Sequence, residues 1–175
     1  MNQKLKRWII ISMLTAMAIV LSIVDSFIPM PVVGVKLGLA NVIILIMLYE
    51  FKVREALLTN ILRILLVGIL RATLLTPTFI MSLSGGMLSF IIMVVFTRYK
   101  KFTPIGVSVL GSVFHAAGQI VAAMIILDSK ETALYLPVIA LFSILTGILS
   151  GIVTKTYLKR SITSRFIDIN KYNED

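Results

Sequence analysis

A chain of 175 residues that is 58% hydrophobic and only 14% charged, with mean hydropathy +1.01, is far more apolar than a soluble domain and reads as one compact membrane bundle. With no cysteine and a single histidine, disulfides, thiolate metal sites and thiol catalysis are excluded, and a transition-metal centre is disfavoured. The net charge of +9 lies in short terminal and connecting segments, as topology signals and contacts for anionic lipid, which argues against nucleic acid as a partner.

In chain order, the charged start Met1–Trp8 resembles that of a signal peptide. The apolar run continues to Ile28 without a small-residue cleavage pattern, so it reads as a retained first span, Trp8–Ile28. Pro29 and Pro31 punctuate the loop to a second span, Leu39–Phe51, which is short for a full crossing and reads as tilted or re-entrant. A third span covers Ala56–Leu75 and breaks at Pro77, and a fourth covers Thr78–Thr97 with Gly85 and Gly86 near its middle. The fifth and sixth are Pro104–Leu127 and Thr132–Thr154. The predicted fold is therefore an all-α integral membrane bundle of six transmembrane helices over residues 1–158, followed by a polar cytoplasmic tail, 159–175.

Placing both termini in the cytoplasm leaves Lys36 and Lys130 outside and Arg63 and Arg71 within the membrane. The other thirteen of the 17 basic residues then fall inside, a strong positive-inside bias. The predicted location is a multi-pass position in the cell membrane.

The two embedded arginines stand out, because a guanidinium at membrane depth costs at least about 2.5–3.5 kcal/mol on insertion scales. Asn60, Arg63 and Arg71 share one face of the third helix, within an arc of roughly 80°. Arg71 is expected near the outer surface, where pairing with Asp25 or snorkelling to headgroups are structural alternatives. Arg63 is expected about 12 Å deeper. With no carboxylate evident at its depth, an anionic ligand, a cluster of carbonyls or a partner subunit is expected to satisfy it.

On the fifth helix, Ser108, Ser112, His115 and Gln119 form a polar stripe at three- and four-residue spacing, suited to ligand contact or to interhelical hydrogen bonds. Ser82 and Ser84 flank Gly85–Gly86, where backbone can approach a ligand closely. Lys36 and Asn41 flank the start of the second span. The candidate substrate-binding set is Lys36, Asn41, Asn60, Arg63, Arg71, Ser82, Ser84, His115 and Gln119, arranged as a cavity opened from outside and floored by His115 and Arg63. No residues are assigned to catalysis or metal binding. No phosphate-binding Gly-Lys-Ser/Thr loop, carboxylate pair, aspartate-rich cluster or triad pattern is present, so the chain is not expected to be an enzyme by itself.

The strings Gly34-Val-Lys-Leu-Gly-Leu-Ala-Asn-Val42, Ser82-Leu-Ser-Gly-Gly-Met-Leu-Ser89 and Ile105-Gly-Val-Ser108, followed by His115 and Gln119, resemble the bacterial membrane family heptaprenyl diphosphate synthase component I, also called the Gx transporter family. The resemblance covers roughly residues 8–158 and departs from the family at Ala116, where asparagine is expected. It implies likeness to the S-components of energy-coupling-factor transporters, six-helix bundles that bind a small solute and dock on a shared transmembrane coupling subunit with two ATPases. ATP would then be used by the partners, with no cofactor in this chain. The family's docking pattern on the first helix, Ala-x-x-x-Ala, has its nearest counterpart in Ala18-x-x-x-Ser22. The resemblance also implies a second role, as an accessory subunit beside a prenyl synthase or a flavin- and quinone-linked redox partner.

Overall fold

The computed structural model describes residues 3–31, 35–99 and 101–160. Among these residues there is no strand. There are six α-helices: α1 (Gln3–Asp25), α2 (Asn41–Glu50), α3 (Val53–Leu70), α4 (Pro77–Arg98), α5 (Pro104–Leu127) and α6 (Leu136–Arg160), the last preceded by a short 3-10 helix, Lys130–Tyr135. Four segments are long and apolar enough to cross a membrane: α1, α4, α5 and the Lys130–Arg160 unit. Their outward faces carry large apolar side chains, such as Met13, Met17 and Val20 on α1 and Leu141, Leu145 and Leu149 on α6. Water would not tolerate so much apolar surface on one molecule; lipid does. The chain is membrane-embedded.

The six expected spans are not six equal crossings. α2 has ten residues, about 15 Å of helix against a hydrocarbon core of about 30 Å. It is also apolar all round and buried from Asn41 to Met47, the pattern of a helix surrounded by others. The five other helices all pack against it. The bundle is thus built around a half-length helix, with Val35–Ala40 as irregular chain leading into it.

α3 also differs from its expected bounds, starting at Val53 and stopping at Leu70. At its start the Glu55 carboxylate accepts the Lys52 amide at 3.0 Å, one half of a capping box. At its end Ala72 adopts φ 52°. The Thr73 amide then donates to the Gly68 carbonyl and the Ala72 amide to the Ile69 carbonyl, which is a Schellman motif with alanine in place of the usual glycine at its left-handed position. Arg71 therefore caps the helix and does not lie within it. α6 continues to Arg160, beyond the expected boundary at residue 158. The remainder of the expected tail, 161–175, lies outside the described residues.

Glycines set the tightest helix crossings. A Cβ on Gly118 would stand 3.0 Å from the Gly85 Cα, and one on Gly151 would stand 2.5 Å from the Ile105 Cα. α4, α5 and α6 thus form a closely packed antiparallel layer of helices, with α1 and α3 closing over α2. At one end of the bundle the Arg7 guanidinium makes a bidentate pair with Glu55, at 3.1 and 2.7 Å, joining the starts of α1 and α3. At the other end Arg71 donates to the Ser26 carbonyl at 3.3 Å.

Gly151→Ala is expected to lower the thermal unfolding midpoint in detergent, with an overpacking cost of about 1–3 kcal/mol. Gly106→Ala, whose Cβ meets nothing closer than 3.6 Å, serves as the control and should leave the midpoint unchanged or raised.

Candidate functional site

Arg63 is the centre of a buried polar network. Its Nε donates to Asn60 Oδ1 at 3.0 Å, its Nη1 to Ser22 Oγ at 3.1 Å and its Nη2 to Asn41 Oδ1 at 3.2 Å. Asn41 in turn donates to Ser89 Oγ, and Asn60 to the Gly86 carbonyl. One guanidinium thereby ties α1, α2, α3 and α4 together. Of the expected acceptors the cluster of carbonyls comes closest: two amide side-chain carbonyl oxygens and one hydroxyl take that place, all uncharged. They satisfy hydrogen bonds without cancelling the charge, so Arg63 remains a cation at depth.

The second organiser is Asp25, the last residue of α1 and only 2% exposed. Its Oδ1 accepts the Leu37 amide at 3.0 Å, and its Oδ2 accepts Gly38 and Leu39 at 2.7 and 3.0 Å. Three successive amides converge on one carboxylate, an anion nest filled by the protein itself. Gly38 is required twice over: its φ is +85°, and a Cβ there would strike Asn41 Nδ2 at 2.8 Å and His115 Cδ2 at 3.2 Å. The pairing of Asp25 with Arg71 left open by the sequence is not made. Arg71 instead donates to Ser26 and lies 5.1 Å over the Phe27 ring.

Gln119 holds the same loop from α5, accepting the Lys36 amide at 2.7 Å and donating to the Lys36 carbonyl at 3.0 Å. Both ends of its side chain are thus engaged with backbone. Ser84 donates to the Gly118 carbonyl at 2.8 Å and fastens α4 to α5. Ser82 donates to Thr78 of its own helix and lines the cavity.

Two spaces lie between these groups. The inner chamber, about 20 Å³, is lined by Ser22, Asp25, Lys36, Arg63, Ser82 and His115, with an apolar wall from Ile64, Val67 and Phe79. It has room for about one water-sized group. His115, 3% exposed, is part of this lining, and its Nδ1 is buried without a hydrogen-bond partner among the described residues. The second space is a vestibule of about 400 Å³, bounded by Phe27, Met30, Lys36, Arg71, Thr73 and Thr78 among others. Lys36 and Thr73 line both spaces, so the two form one column.

Of the nine candidate binding residues, Lys36, Arg63, Ser82 and His115 line the chamber and Arg71 the vestibule. Asn41 and Asn60 hold Arg63, Gln119 holds the loop, and Ser84 joins two helices. The residue missed was Asp25, whose acid at the end of an apolar span was visible but whose backbone partners were not. Among the described residues three cations, Lys36, Arg63 and Arg71, stand around the column against one carboxylate, Asp25.

Ala18 and Ser22, the candidate docking residues, are 0% and 5% exposed. Ser22 is occupied by Arg63, so this pair faces the interior and offers no surface to a partner. Among the described residues no group of three or more His, Asp or Glu could hold a metal.

A sequence profile described as heptaprenyl diphosphate synthase component I matches residues 14–157. The chain belongs to that family. The match runs from within α1 almost to the end of α6, so it includes every residue of the chamber and vestibule. No match was found among curated proteins or among solved structures.

Because the chain has no native cysteine, a single Leu37→Cys reports on the loop. In an Asp25→Ala background, three amides lose a charged acceptor, and labelling by a water-soluble maleimide is expected to accelerate by at least about tenfold. An unchanged rate would show that Asp25 does not hold the loop closed.

Proposed function

We propose that this family member is a solute-binding membrane subunit of S-component type, which captures a small anionic or amphipathic solute. The observation that carries this reading is the charge imbalance along the column: three cations and one carboxylate. Buried charge of one sign is costly, and a bound anion offsets it. The apolar rim of the vestibule, Phe27, Ile28 and Met30, suits a solute with an apolar body, and the chamber suits a small polar tip. The expected topology completes the proposal. α3, and the loop with α2, add two crossings to the four long ones, both termini lie in the cytoplasm of a bacterial cell, and the vestibule opens outward. Release inward would be driven by ATPases acting through a shared coupling subunit.

The family description supports a second reading, in which the chain is a non-catalytic membrane component that associates with a partner synthase. The two readings differ in what accompanies the protein from native membranes. Mass spectrometry of the purified chain is expected to find an anionic small molecule that is lost from an Arg63→Ala, Arg71→Ala double variant. Retention of that molecule by the variant would reject the column as its site. Stable co-purification of a synthase, with no small molecule, would favour the second reading.

Lys36→Gln removes one of the three cations and should weaken the binding isotherm for the co-purified solute by at least about tenfold, whereas Lys36→Arg, which keeps the charge, should retain most of the affinity.

A further inference from the structure

Among the described residues two cations, Lys36 and Arg63, line the inner chamber against one carboxylate, Asp25. The lining therefore carries one positive charge in excess. The Asp25 oxygens are already engaged by the amides of Leu37, Gly38 and Leu39. A guanidinium has five N–H donors, and three of those on Arg63 go to Asn60, Ser22 and Asn41, all uncharged. Two donors thus remain without a partner among the described residues, on a side chain that is only 5% exposed. His115 adds to them: its ring lines the same chamber, and its Nδ1 is buried with no partner among the described residues. A neutral imidazole can carry its proton on either nitrogen, so it can serve an anion as a donor.

Charge, volume and donors select the same occupant. One negative charge brings the chamber to neutrality, whereas a dianion would leave a buried excess of the opposite sign after a larger desolvation cost. A space of about 20 Å³ admits a halide or the tip of a carboxylate and is too small for a phosphate or a diphosphate. Ile64, Val67 and Phe79 form an apolar wall, which favours weakly hydrated anions because they give up less on leaving water.

We infer that the chamber is a binding site for one compact, singly charged anionic group, held by Arg63, Lys36 and His115. Its source is either a free halide-type ion or the carboxylate tip of a solute whose body lies in the vestibule. The site goes beyond the solute-binding reading and does not depend on it, because a free ion needs only the chamber.

The test uses the full chain in non-ionic detergent, dialysed until mass spectrometry finds no co-purified small molecule. The thermal unfolding midpoint is followed as sodium bromide replaces sodium isethionate, a bulkier monoanion, at constant ionic strength. Bromide should raise the midpoint saturably, by about 3–6 °C at tenfold excess over its half-saturating concentration. Sulfate and pyrophosphate should give no saturable rise. His115→Leu and Lys36→Gln should each raise the half-saturating bromide concentration at least about tenfold. Lys130→Gln, which removes an exposed cation elsewhere, should leave it unchanged, and midpoints without bromide monitor the fold of each variant. Hexanoate separates the two sources: competition with bromide assigns the chamber to a carboxylate tip, and bromide binding that hexanoate does not alter assigns it to a free ion. No saturable effect of either bromide or hexanoate, an equal effect of pyrophosphate, or wild-type bromide affinity in either chamber variant would overturn the assignment. A solute retained from native membranes by a chamber that fails these tests would keep the solute-binding reading and reject this one.

Discussion

A single guanidinium at membrane depth organises this bundle. Among the described residues Arg63 has no ion-pair partner within hydrogen-bond distance, yet three of its N–H groups are satisfied by Ser22, Asn41 and Asn60. Those acceptors come from three helices, and two of them pass the chain of hydrogen bonds on to α4. In lipid each polar group must find its partner inside the protein. Moving any one of α1, α2 or α3 would strand a buried donor, so the network fixes how these helices sit. Because its acceptors are neutral, it does so without spending the positive charge. The same residue can thus be structural and electrostatic at once.

The half-length of α2 is the second constraint, and it follows from the same economy. The irregular chain leading into a helix that starts inside a bundle carries backbone amides that need acceptors within the protein. Asp25 meets the amides of Leu37, Gly38 and Leu39, while Gln119 meets both polar groups of the Lys36 backbone. With the loop held in this way, Lys36 is placed where it lines both chamber and vestibule. The irregular chain is tolerated at this depth because it borders a cavity and is enclosed by protein.

Seen from its two ends, the molecule repeats one physical device. In each case a charged side chain near the end of α1 braces an element beside it, Asp25 at one end and Arg7 at the other. What the braces adjoin differs: Asp25 stands beside a one-water chamber behind the vestibule, and Arg7 beside a pocket between the starts of α1 and α3.

Composition and run length by themselves determined that the chain is all-helical and membrane-embedded, because apolar stretches of this length have few other stable forms. They also placed α5 to the residue, since Thr103 and Pro104 are explicit start signals and the run ends at Leu127. Periodicity brought Asn60 and Arg63 onto one face. What the sequence could not carry were features decided between distant segments. The end of α3 depends on a left-handed Ala72, a conformation that an apolar run does not signal. The inward turn of Ala18 and Ser22 depends on Arg63 reaching back to α1 across 41 positions of sequence. The role of Asp25 depends on a loop that returns to it from residues 37–39, and only tertiary structure can decide whether such a carboxylate meets an arginine or a row of amides. Sequence states which charges must be buried; folding decides what each of them meets.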